Sequence, residues 1–205
     1  MNRAELKALA KNQIKGKIGI LFLITLIIGA ISGIAGALLS KLPGGSLIVS
    51  IIITPAFSLS VIRVYLSLTH GARPEAGDAF SGFDDFWSAF KVTFLVGLFT
   101  FLWSLLFVIP GIVKSYAYSM SLYILAENKG KSARECINES MGMTNGHKMD
   151  LFVLNLSFIG WGLLCVITFG IAYIWVGPYM SATYANAYNS LKPVTVVETT
   201  ATIEE

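Results

Sequence analysis

The sequence predicts an all-α, polytopic membrane protein: six transmembrane helices in three hairpins, with short interfacial amphipathic helices beside them. Three observations predict it. The stretch Leu151–Leu191 runs 41 residues without one Asp, Glu, Lys or Arg. A bilayer core about 30 Å thick needs roughly 20 apolar helical residues, so this stretch is long enough to cross twice. Hydrophobic residues make up 55% of the chain and charged residues 13%, about half the charged share of soluble proteins. Finally, once the apolar stretches are drawn as spans, 13 of the 15 Lys and Arg residues fall on one side.

The elements follow in order. Residues 2–16 read as an interfacial helix. Asn2 and Glu5 have capping-box spacing, and Arg3, Lys7, Lys11 and Lys15 recur every fourth residue opposite Leu6, Leu9, Ala10 and Ile14. Such a helix lies at the headgroups, attracted by anionic lipid. The first span is 18–39. Its apolar run is longer than the roughly 7–15 residues of a signal peptide, so it reads as a span despite Ala35-Gly36-Ala37. The second span is 46–68, with Arg63 near its cytoplasmic end. Residues 80–91 space Phe80, Phe83, Phe86, Trp87 and Phe90 helically around Asp84 and Asp85, an exposed acidic helix start.

The third and fourth spans, 92–109 and 111–126, are separated by Pro110 and Gly111, since proline breaks the helical ladder. A third interfacial helix, 132–143, opens with the capping pair Ser132 and Glu135. The fifth and sixth spans are 151–169 and 171–191, interrupted by Gly170 and Gly177-Pro178. Five spans result if the last segment lies in the interface instead. Residues 1–192 form one integral membrane domain, and 193–205 a flexible cytoplasmic tail.

Charge placement orients the six spans, because cytoplasmic loops are enriched in Lys and Arg. The 13 basic residues lie before the first span, at the cytoplasmic end of the second (Arg63), in the two longer loops and after the sixth. Only Lys41 and Lys114 sit opposite, in short turns. The expected location is a cell membrane, multi-pass, with both termini cytoplasmic.

A weak repeat relates the hairpins: Pro55, Ser58 and Tyr65 share their spacing with Pro178, Ser181 and Tyr188, and Pro110 with Ser115 and Tyr123 nearly so. Each second helix is the more polar of its pair. Polar side chains avoid lipid, so the second, fourth and sixth spans should face one another. Ser58, Ser115, Ser181, Asn186 and Tyr188 are then the candidate interior polar path. Gly29, Gly33 and Ala37 form a small-residue face suited to helix packing.

Several segments resemble a known family. They are Arg3–Lys7, Phe80-Ser81-Gly82-Phe83, Phe107–Ser119 with its Ile-Pro-Gly, Ser140-Met141 with Gly146-His147-Lys148, and Phe152 through Trp175-Val176-Gly177-Pro178-Tyr179. Together they resemble a bacterial integral membrane family catalogued as domain of unknown function 975, over nearly the whole chain. More distantly, the pattern is similar to the membrane domain attached to some glycerophosphodiester phosphodiesterases. The resemblance implies a bacterial cytoplasmic membrane and supplies no activity or catalytic residues.

The residues give little chemistry. Cys136 and Cys165 should not pair in this topology. His70 and His147 are the only histidines, and His147 with Asp150 and Glu139 has no recognised metal spacing. No catalytic residue, cofactor, metal or nucleic-acid partner is expected. The candidate lipid-headgroup contacts are Arg3, Lys7, Lys11, Lys15, His147 and Lys148. The expected function is a non-enzymatic, lipid- or partner-binding accessory of the bacterial envelope, with a homo-oligomer as one form of partner. The alternative is a small-molecule transporter or exporter using the polar path. A third class is a membrane enzyme acting on lipid headgroups with His147 and Lys148.

The charge split predicts the outcome of reporter fusions. A reporter active only in the cytoplasm should work after Glu205 and after Gly130 and fail at Gly44. Silence at Glu205 in a well-expressed fusion would refute the six-span arrangement.

Overall fold

The computed structural model describes residues 2–41, 51 and 53–192. Among them every regular element is helical, without a strand. Helix α1 spans Arg3–Ile14, and Asn2 caps it through the Glu5 amide. Gly16, at φ +77°, turns the chain into α2, Ile18–Leu39, which coincides with the first predicted span. Helix α3, Thr54–Thr69, carries Pro55 in its first turn, where a missing N–H leaves no bond unmade. The opening part of the predicted 46–68 span lies outside the described residues.

The 80–91 segment departs from expectation. A 3-10 turn over Ala76–Phe80 is closed at its start by the Asp78 carboxylate, which accepts from the Glu75 amide at 2.8 Å. Helix α4 then runs unbroken over Phe86–Leu106. The aromatics Phe86, Trp87 and Phe90 are therefore the first turns of the span and not a separate interfacial helix.

The next hairpin turns three residues before Pro110. Phe107 is extended at φ −155°, ψ 139°, and α5, Val108–Tyr118, includes Pro110 in its first turn. Gly111 serves close approach instead of the turn: a Cβ there would lie 2.1 Å from Ser104 Oγ on α4. The predicted fourth span is also split. Helix α5 stops at Tyr118 and α6, Ser121–Glu127, follows. The break is held from α7, Ala133–Met143. There Ser140 Oγ donates to the Ala117 carbonyl at 2.8 Å and accepts from the Met120 amide at 3.1 Å. Ser132 and Glu135 cap α7 reciprocally, as their spacing predicts.

Helices α8, Lys148–Leu156, and α9, Ile159–Ile167, follow one another with a short interruption at Ser157-Phe158. Phe169 at φ +50° and Gly170 at φ +87° reverse the chain. Helix α10 then runs Tyr173–Leu191 with Gly177-Pro178 inside it. Gly170 is thus the break, and Gly177-Pro178 is not.

Three helical stretches among the described residues are long and apolar enough to cross a membrane: α2, α4 and α8–α9. Each is the first member of a predicted hairpin. Among the described residues the return members do not qualify: α3 has 16 residues there, α5–α6 is split, and α10 is polar toward its end. Of the three apolar windows only 11%, 11% and 17% is buried. The return helices instead form the core: Leu59, Val64 and Leu68 of α3 pack with Ile124 and Leu125 of α6 and Ala182, Ala185 and Tyr188 of α10.

The three return helices end at one pole. Asn189 Nδ2 donates to Thr69 Oγ1 at 2.9 Å, Tyr188 Oη donates to Glu127 at 2.9 Å, and Lys192 pairs with the same carboxylate. Burial falls away from that pole. Leu38, Leu105, Phe107, Ile109, Phe169 and Ile171, at the other ends of the hairpins, are all largely exposed. An apolar surface of this kind suits a lipid surround and not water.

The connection between α3 and α4 folds back onto α3. Gly82 donates its amide to Ser60 Oγ at 2.8 Å, Phe83 meets Phe57 edge-on at 5.1 Å, and Arg63 binds the Ser81 carbonyl and the Asp85 carboxylate. Asp85 is therefore an ion-pair partner, not merely an exposed helix start. A Cβ on Gly82 would stand 2.0 Å from the Ala56 carbonyl, so Gly82→Ala should destabilise by about 1–3 kcal/mol through overpacking. Gly142→Ala, on α7 with nothing within 4 Å, should be neutral or stabilise by up to about 1 kcal/mol. Thermal unfolding of the two variants in one detergent checks the contrast.

Candidate functional site

Helix α1 is a docked helix. Leu6, Ala10 and Ile14 are buried, and the long contact is with α10. Gln13 and Asn186 exchange two amide hydrogen bonds, at 3.1 and 2.7 Å, and Asn186 also donates to the Ala182 carbonyl. The Leu6/Ala10/Ile14 face is thus turned to protein, whereas Leu9 stays 44% exposed.

The basic stripe is divided among different partners. His147 Nδ1 lies 3.1 Å from the Asp150 carboxylate, and Arg3 adds only a weaker, longer-range pull on it. Lys148 is half-buried at the start of α8. Lys7 donates to Ser157 Oγ at 2.7 Å and lies 4.7 Å from the centre of the Phe158 ring. Lys11 and Lys15 remain exposed. With Ile14, Ile18, Trp161, Trp175, Val176 and Tyr179 they line a cleft of about 450 Å³. Trp161 meets Tyr179 at 6.1 Å and Phe158 meets Tyr179 at 5.7 Å, both edge-on.

Of the six headgroup candidates, only Lys11 and Lys15 share this cleft. Its aromatic wall was not anticipated. No local signal marked it: Trp161 lies midway along the predicted fifth span and Trp175 and Tyr179 lie early in the sixth, and only the docking of α1 brings them beside the lysines.

The interior candidates are likewise distributed. Asn186 and Tyr188 are buried, held by Gln13 and Glu127, and Tyr188 stacks on Tyr123 at 5.5 Å. Ser58 lines a cavity of about 480 Å³ with Ile28, Ser32 and Phe57. Ser115 lines a different one, of about 330 Å³, with Tyr116, Asn155 and Tyr184. Ser181 is half-buried on α10. Among the described residues no three His, Cys, Asp or Glu side chains gather as a metal site. Burial pushes the Cys136 thiol up to about 11, which leaves it protonated and unreactive at neutral pH.

The fold defines a class first: a helical protein with apolar helices of membrane-crossing length around a core of more polar return helices. More particularly, the chain belongs to the family described as protein of unknown function DUF975, whose profile matches residues 1–114 and 105–194. No curated protein and no solved structure matches the chain.

The docking of α1 gives a prediction. Asn186→Leu removes the paired amide bonds and strands Gln13, costing about 1–3 kcal/mol at the α1–α10 contact. Trypsin should then cut after Lys7 and Lys11 roughly 5- to 100-fold faster than in the parent protein. Equal cleavage rates would mean that α1 is not held by this pair.

Proposed function

We propose that this protein is a non-catalytic accessory of a bacterial cytoplasmic membrane. It crosses six times, has both termini in the cytoplasm, and binds lipid or a protein partner, including a second copy of itself, on its cytoplasmic side. One observation carries the orientation: α3, α6 and α10 end together through Asn189–Thr69, Tyr188–Glu127 and Lys192–Glu127. The loops that leave this pole carry Arg73, Lys129, Lys131 and Arg134, and such loops are cytoplasmic under the positive-inside rule. On this reading the return helices are the shorter crossings, held inside by the three apolar ones. The open small face of Gly29 and Gly33, with no neighbour within 4 Å among the described residues, fits helix packing between copies.

A transporter is the second reading, favoured by the polar lining of the cavity at Ser115, Tyr116 and Asn155. The two readings differ in water access. Cysteines placed singly at Ser58, Ser115 and Ser181, in a Cys136→Ser, Cys165→Ala background, should label at least about tenfold more slowly with a small water-soluble thiol reagent than a cysteine at exposed Gly130. Reaction requires both thiolate and water, and a packed interior supplies neither. Rapid labelling at all three positions would replace the accessory reading with the transporter.

A further inference from the structure

The cleft between α1, α9 and α10 has the chemistry of an amphiphile site. Lys11 and Lys15 are one helical turn apart, so their ammonium groups share one face. Neither has a hydrogen bond or ion pair among the described residues, whereas Lys7 on the same stripe is bonded to Ser157 and lies over Phe158. Two adjacent, unneutralised cations repel each other until an anion sits between them. Below them the wall is aromatic and apolar. Trp161 and Trp175 are 44% and 54% exposed, and Val176 and Tyr179 close the floor.

We propose that this cleft binds one anionic phospholipid. Its phosphate lies between the Lys11 and Lys15 ammonium groups, and its glycerol and first acyl methylenes lie against Trp161, Trp175 and Tyr179. The assignment rests on reading the chain as a membrane protein, and it names the class of lipid. The volume of about 450 Å³ is that of an ordinary ligand pocket. The remaining acyl chain therefore runs outside the cleft, past the exposed faces of Trp161 and Trp175. A headgroup carrying its own cation, such as phosphocholine, brings a positive charge to the lysine pair. A headgroup such as phosphatidylglycerol's does not, so the site selects net-negative lipid. The apolar wall, in turn, disfavours a free soluble phosphate.

The test uses the full chain in symmetric bilayers, with Trp87→Phe and Trp103→Phe so that only Trp161 and Trp175 emit. Phosphatidylglycerol brominated in its acyl chains should quench this emission with an apparent affinity on the order of tenfold or more above brominated phosphatidylcholine. Lys11→Gln with Lys15→Gln should abolish the preference. Lys11→Arg with Lys15→Arg should retain it, and so should Lys129→Gln, which lowers the overall charge away from the cleft. Equal quenching by the two lipids in the parent protein overturns the proposal, as does an unchanged preference in the double Gln variant. Loss of the preference in Lys129→Gln would reduce it to general surface charge. Displacement by millimolar glycerol phosphate would show a soluble ligand and overturn the lipid assignment. Because both leaflets carry the brominated lipid, the result is independent of which way the protein faces. A failed topology reading and a failed lipid site are therefore distinguishable.

Discussion

The return helices carry polar side chains that an apolar surround would leave unsatisfied, and the rest of the molecule is arranged around their mutual satisfaction. Tyr188 and Lys192 of the last helical segment both reach Glu127, and Asn189 reaches Thr69. A buried hydroxyl or amide without a partner costs on the order of 1–3 kcal/mol, so these ends are fixed together. Once they are, α3, α6 and α10 share a direction, and the apolar helices α2, α4 and α8–α9 are left outside them.

That division explains the gradient of burial. Near the common pole the chain has enough additional elements to close a core. Helix α1 covers α10, the 76–85 connection covers α3, and α7 braces the break between α5 and α6 through Ser140. Toward the opposite ends, Leu105, Ile109, Phe169 and their neighbours stay exposed among the described residues. The same arrangement makes the cleft. Because α1 is docked lengthwise along α10, Lys11 and Lys15 are carried to Trp161 and Trp175, which a helix lying free on the headgroups would not reach.

Local signals were legible where one residue decides one backbone feature. The bounds of α2 followed from an uninterrupted apolar run. The Ser132–Glu135 cap of α7 and the reversal at Gly170 followed from local chemistry. The inward placement of the more polar helices followed from the cost of facing lipid, and Tyr188 and Asn186 are buried accordingly. Pro110 misled because proline breaks a helix only past its first turn. With the turn made at Phe107, Pro110 falls where its missing N–H is harmless. The break at Ser119-Met120 had no local signal, since it is held by Ser140 from twenty residues away.

By itself the sequence determined the helical class, the three long apolar helices, the asymmetric placement of charge and the family to which the chain belongs. Each of these depends on composition or on contacts within a few residues. Only the tertiary structure decided which lysines are occupied and which are open. The every-fourth spacing puts Arg3, Lys7 and Lys11 on one face of α1 with Lys15 at its C-cap, and the spacing alone does not say which of them find partners. Their neighbours, Asp150, Ser157, Trp161 and Tyr179, are more than 140 residues away in the chain. They are brought close because α1 docks on α10 through buried Leu6, Ala10 and Ile14 and through the Gln13–Asn186 pair.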